Sequence, residues 1–204
     1  YLVSVYIWSV YTECLHGMPS KCPIRVAVPV NLRPYFNSIT TKNFFVMVSA
    51  EFHPTKETYT FAEVAAIVKE SLRSQINREN LEKLFSYNVS NEKLLIARVV
   101  PLFLKNLAMK YVYTTSALAN TATITNIGNI SVTEEYRPYV EMFHAFLAMS
   151  KGQHLKGTIC SYGDTLVFSF SYDLVDASVQ RGFFRKIASD GIAVEIKSNG
   201  VNYE

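Results

Sequence analysis

From Ile24 to Leu32 the chain alternates. Ile24, Val26, Val28, Val30 and Leu32 fall on one face, and Arg25, Ala27, Pro29, Asn31 and Arg33 on the other. A period of two predicts a strand buried on one side. Arg33 at its end is expected close to the core, where an unpaired guanidinium is costly to desolvate. No acidic residue stands close to it in sequence. Asn43–Phe52 repeats the alternation, with Phe44, Val46, Val48, Ala50 and Phe52 against Phe45, Met47, Ser49 and Glu51. Glu51 is the local carboxylate that Arg33 could reach.

Other segments carry other periods. Tyr1 to about Cys14 is apolar on every side and predicts a buried helix, broken by His16-Gly17 and Pro19. Thr60 to Glu63 has the form of a capping box, opening a helix whose buried stripe is Phe61, Val64, Ala65, Val68, Leu72 and Ile76. Leu81, Leu84 and Phe85 predict a shorter helix ending near Asn88, and a third helical region starts near Glu92. Pro101 opens a fresh segment with Leu102, Phe103, Leu107 and Tyr111 on its buried side.

Thr121–Ile127 reads as a strand closed by Gly128, with Thr121, Thr123 and Thr125 on one face and Ala122, Ile124 and Asn126 on the other. Tyr136–Val140 is expected to form one helical turn, and Met142–Met149 a strand. Lys156–Tyr162 and Thr165–Tyr172 form a hairpin about Gly163-Asp164. Asp176 caps a last helix carrying Val179, Phe183, Phe184 and Ile187. Gly191 ends that helix, and Ile192–Ile196 is a final strand. Hairpins together with strands separated by helices predict an α/β fold with a mixed sheet covered by helices. Residues 1–199 are expected to be one domain and 200–204 a tail.

Composition narrows the function classes. A net charge of +3 with interspersed signs argues against nucleic acid as a main partner. Cys14, Cys22 and Cys160 make neither a disulfide framework nor a metal-ligand spacing, so no metal is expected and a reducing, cytoplasmic compartment is. Leu94–Tyr113 is the most apolar long window, but Arg98, Pro101, Lys105 and Lys110 interrupt it, and no membrane span is expected. The chain opens at Tyr1 inside an apolar pattern, as a fragment of a longer protein would. His16, His53, His144 and His154 are scattered, and none sits in a relay with Ser, Cys or Asp. No phosphate-binding glycine loop or nucleophile elbow occurs.

The ordered set VPVNLRPYF, NFF, TNIGNI and SYGDTLVFSFSYD, followed by a helix, resembles the C-terminal half of CoA-dependent acyltransferases. That superfamily includes chloramphenicol acetyltransferase and peptide-synthetase condensation domains. Within it, the look is nearest to bacterial proteins described as alcohol acetyltransferases. The resemblance covers about Tyr1 to Asn199. It implies one half of a two-lobed fold, with a substrate channel between the lobes and the catalytic HHxxxDG motif in an N-terminal half of the same protein. No HHxxxDG stands in this chain, so these residues alone are expected to be inactive and to have no catalytic base.

The implied substrates are coenzyme A or carrier-bound thioesters and an alcohol or amine acceptor. Arg33 matches an arginine that pairs with the motif's structural Asp across the two halves. Thr123 and Thr125 lie on a strand that in some relatives donates a hydroxyl to the oxyanion. Asn31, Asn43, Asn126 and Gly128 match channel or motif positions, although Lys42 replaces the glycine that often precedes the residue matched by Asn43. The alternative is a non-catalytic condensation-like binding or scaffold module. An apolar face normally covered by the other half would promote self-association of the fragment.

Overall fold

The computed structural model describes residues 1–93, 100–150 and 152–199. Five strands form one mixed sheet in the order β2-β1-β3-β4-β5, where β1 is Ile24–Asn31, β2 Phe45–Phe52, β3 Ala122–Asn129, β4 Leu155–Tyr162 and β5 Thr165–Tyr172. Strands β1, β3 and β4 run parallel, while β2 and β5 pair antiparallel at the two edges. This is the α/β mixed sheet expected from the alternation.

Even-numbered residues of β1 and β2 share one face, and three helices cover it: α1 (Leu2–Glu13), α2 (Phe61–Gln75) and, at the C-terminal end of the chain, α5 (Ser178–Ser189). Helix α1 is apolar all round because it packs against α2, α5 and β1 at once, burying Val5, Tyr6, Ile7, Val10 and Tyr11. Phe52, Val64, Val68, Ile124 and Phe183 complete the main core. A smaller cluster joins Leu32, Val46 and Val48 to Leu81 of α3 (Arg78–Lys93), which runs past the expected end at Asn88. The helical start expected near Glu92 leads into residues 94–99, outside the described residues, as does the tail from 200.

Edge strand β2 would present unpaired backbone groups to solvent. Two side chains of α2 blunt it. Gln75 accepts from Ser49 N at 3.1 Å and donates to Ser49 O at 2.8 Å, and Ser71 Oγ accepts from Glu51 N at 3.1 Å.

The capping box at Thr60 is formed as the spacing requires. Glu63 N donates to Thr60 Oγ1, Thr60 N donates to Glu63 Oε2, and Lys56 also bonds Glu63. The Lys56 bond first, then the two from Thr60, bring the Glu63 pKa down to about 2. A carboxylate depressed in the folded state stabilises it fully above the unfolded value near 4.5, and loses that effect as pH falls toward 2. Glu63→Gln is therefore expected to flatten the pH dependence of unfolding between about pH 2 and 4.5, measured by urea denaturation. An unchanged profile would contradict the assignment.

Four further expectations of local structure need correction. Met142–Met149 is not a strand; its backbone carbonyls are taken by side chains of β4 instead of a strand ladder, and the next residue, Ser150, makes only an isolated bridge to Gln153. Ile192–Ile196 is likewise irregular, with Val194 packing on the core while Ile192 and Ile196 stay exposed. Strand β3 does not stop at Gly128. A bulge at Ile127, with Gly128 at φ +88°, carries it on to Asn129. Helix α4 (Leu102–Leu118) does not bury Leu102, Phe103, Leu107 and Tyr111; all four are about 70% exposed, because α1, α2 and α5 already occupy the apolar sheet face.

Candidate functional site

The sheet's second face is where the threonines of β3 lie. Register places them in two polar rows across three strands. Thr123 stands opposite Lys156, which stands opposite Ser171; Thr125 stands opposite Thr158, which stands opposite Ser169. Strand residues two apart share a face, so the six side chains form a grid of hydroxyls around one ammonium. Lys156, Thr158 and Ser169 are buried, as is Gln153 beside them. Thr123 and Thr125 were legible in sequence. Lys156, Thr158, Ser169 and Ser171 were not, because only strand register brings them together.

The grid is roofed by the chain at 142–150 and 152–153. Lys156 Nζ donates to Ala148 O at 2.8 Å and to Ser150 Oγ at 2.6 Å, and Cys160 Sγ donates to Phe143 O at 3.2 Å. The Phe143 ring meets Tyr162 edge-on at 5.4 Å. Thr123 Oγ1 donates to Gln153 Oε1 at 3.1 Å, so its proton is engaged. Thr125 Oγ1 makes no hydrogen bond among the described residues and is half-buried, which leaves it the better placed of the two to meet a ligand.

The other sequence candidates fall at the C-terminal ends of the parallel strands, in two separate groups. Asn31 and Arg33 form the first. Arg33 is exposed rather than near the core. Its backbone N–H and Nη1 donate to Asn31 Oδ1 at 3.1 and 3.4 Å, and Nη2 donates to Thr40 O at 3.1 Å and Lys42 O at 2.9 Å. Arg33 thus ties the loop from 37 to 42 back to β1 and has no carboxylate among the described residues. Glu51 is taken by Arg25 at 2.7 Å. Asn126 and Gly128 form the second group, the Asn126 side chain accepting from Gly128 N at 2.9 Å across the bulge. Pairing between β1 and β3 covers only Val26–Ala122 and Ala27–Thr123, and beyond it the two groups lie on different halves of the sheet. Asn43 is exposed just before β2 and joins neither group.

A cleft of about 570 Å³ opens at the opposite, N-terminal ends of the strands, lined by Tyr6, Val10, Cys14, Cys22, His154 and Leu174 among others. His154 Nδ1 lies 3.0 Å from Asp173 Oδ1, a pairing that 19 residues of separation conceal in the sequence. The cleft resembles a thiol–imidazole site only in composition. Burial, with Asp176 and Glu13 nearby, pushes the Cys14 thiol up, away from the thiolate a nucleophile needs. Among the described residues no cluster of His, Cys, Asp or Glu could hold a metal, and no helix is long and apolar enough to cross a membrane.

No family model matches this chain, and no curated protein does. Among solved structures it is similar to a chain described under "condensation domain-mediated chain release from the enacyloxin polyketide synthase", at 10% identity and a TM-score of 0.43. The match covers 98% of this chain and 38% of that one, so the chain spans well under half of its neighbour's length.

Proposed function

We propose that this chain is the C-terminal lobe of a thioester-dependent acyltransferase of the alcohol O-acetyltransferase type, transferring an acyl group from coenzyme A or a carrier to a hydroxyl or amine. The grid on β3–β5 carries the reading, because acyl transfer requires donors fixed where a carbonyl oxygen gains charge. The motif resemblance supplies the rest. An HHxxxDG histidine of an N-terminal half takes the acceptor's proton. The acceptor then attacks the thioester carbonyl, whose π electrons move to oxygen. When that oxyanion collapses, the C–S bond breaks and the thiolate recovers the proton. Thr125 donates to the oxyanion, and Arg33 ties the lobe to the carboxylate of the same motif. Asn31, Asn126 and Gly128 line the lobe's channel side, and the free thiols of Cys14, Cys22 and Cys160 suit a reducing cytoplasm.

Thr125→Val in the polypeptide that supplies HHxxxDG is expected to lower kcat about 100-fold with little change in KM, the usual loss for one such donor. Thr123→Val should cost far less, since Gln153 already holds that hydroxyl. The 204 residues alone should show no thioester-dependent transfer. Turnover by them, or the lack of HHxxxDG upstream, would sink the reading. A non-catalytic condensation-like scaffold module draws support from one observation. Lys156 and Thr123 are bonded within the chain's own roof, as in a purely structural network. Unchanged turnover in Thr125→Val would favour it.

A further inference from the structure

Lys156 stands apart from the other charged side chains among the described residues. It is 8% exposed and is the one charged residue among the buried side chains described. Buried charges are ordinarily paired with opposite charge, because hydrogen bonds to neutral oxygens recover only part of the lost hydration. Here the ammonium has two neutral acceptors, Ala148 O and Ser150 Oγ, and no carboxylate among the described residues. An ammonium has three N–H donors, so one is not used by either bond. Thr123 and Ser171 flank it on the neighbouring strands, and Thr158 follows it along β4. Among the described residues the surroundings are therefore donor-rich and carry one unbalanced positive charge.

We propose that Lys156 is a binding point for the carboxylate of the acceptor substrate, so that the acceptor is a hydroxy or amino acid in chemical class. The inference deepens the acyl-transfer reading and rests on it for the word acceptor. A single buried ammonium balances a single negative charge. A phosphate dianion would bury a second charge with no cation to meet it, which favours a carboxylate. The acyl donor is a neutral thioester at its reacting end, so the carboxylate belongs to the other substrate. Its oxygens take the place of Ala148 O, since an ion pair is stronger than an ion–carbonyl bond in a poorly hydrated site. Ala148 itself is exposed, so the roof over the ammonium is only one chain thick. The row spacing then sets the carboxylate beside Thr123 and Ser171, one row away from Thr125.

The test uses the chain itself and reads binding, not turnover. Trifluoroacetate and trifluoroethanol are titrated separately and followed by 19F line width. The protein is expected to broaden the trifluoroacetate line and leave trifluoroethanol sharp. Acetate should compete, and inorganic phosphate should not. Lys156→Met should weaken trifluoroacetate binding about tenfold or more, and Lys156→Arg should retain it. If Lys156→Met fails to fold by circular dichroism, Ser171→Ala should still weaken binding several-fold. A trifluoroacetate line unaffected by the wild-type chain overturns the proposal. So does equal broadening by a folded Lys156→Met, competition by phosphate as strong as by acetate, or undiminished binding by Ser171→Ala. The acyl-transfer reading fails by a separate route, the absence of HHxxxDG upstream or turnover by these 204 residues alone, and neither would alter these line widths.

Discussion

Phe183→Ala is expected to lower the stability of the chain by about 3–5 kcal/mol, the usual cost of emptying a buried aromatic site that relaxes only in part. Phe183 is fully buried where α5 meets the sheet. Its ring lies 4.4 Å from Phe168, 5.2 Å from Phe170 and 5.3 Å from Phe184, so four rings share one site. Edge-on and tilted pairs add about 0.5–1.5 kcal/mol beyond area burial. The site has little freedom to collapse. Phe168 presses on Gly157 of β4 so closely that a Cβ there would stand 2.8 Å from Cζ. For a chain of this size the loss corresponds to roughly 6–20 °C in Tm, read by thermal or urea unfolding. A loss below about 1 kcal/mol would mean that α5 is not anchored through this ring.

Most elements legible in the sequence share one trait, a pattern that is local and complete within a few residues. The alternation from Ile24 and the capping box at Thr60 are both of this kind; the capping box forms in full, and the strand forms over Ile24–Asn31. The hairpin at Gly163-Asp164 forms for the same reason, with Gly163 at φ +55° closing the turn. Met142–Met149 fails because alternation describes exposure and does not guarantee a strand neighbour. Its burial still alternates, but Lys156 and Cys160 take its carbonyls from below. The length of β3 is not legible in the sequence, because Gly128 can end a strand or serve a bulge, and only pairing with β4 decides which.

The candidate site was half legible. A Thr-x-Thr strand is visible as composition, and it marks the correct face. Nothing in the sequence near Lys156 marks it as buried, since lysine in a strand normally reaches solvent. Its setting depends on register with β3 and β5 and on a roof contributed 6 and 8 residues upstream. Arg33 shows the converse. Its position at the end of an apolar strand suggested burial, but the strand ends at Asn31, and the guanidinium turns outward to hold the carbonyls of Thr40 and Lys42.

The chain is expected to self-associate at hundreds of micromolar, and α4 is expected to drive it. From Leu102 to Leu118 the only charged residues are Lys105 and Lys110, and apolar side chains fall on every side. Leu102, Phe103, Leu107, Met109 and Tyr111 are each more than 60% exposed. A helix apolar all round is stable when it is surrounded, as α1 shows within this same fold. Exposed apolar patches of this size ordinarily mark interaction surfaces. Sedimentation velocity should therefore show species heavier than the 23.1 kDa chain, growing with concentration. Leu107→Glu with Tyr111→Glu removes two large side chains from the contact. At about 1.5–3 kcal/mol each, the dissociation constant should rise about a hundredfold or more. Circular dichroism should change little, because neither side chain belongs to the core clusters. A strict monomer at the highest concentration would refute the role of α4, and so would a double variant that associates as before.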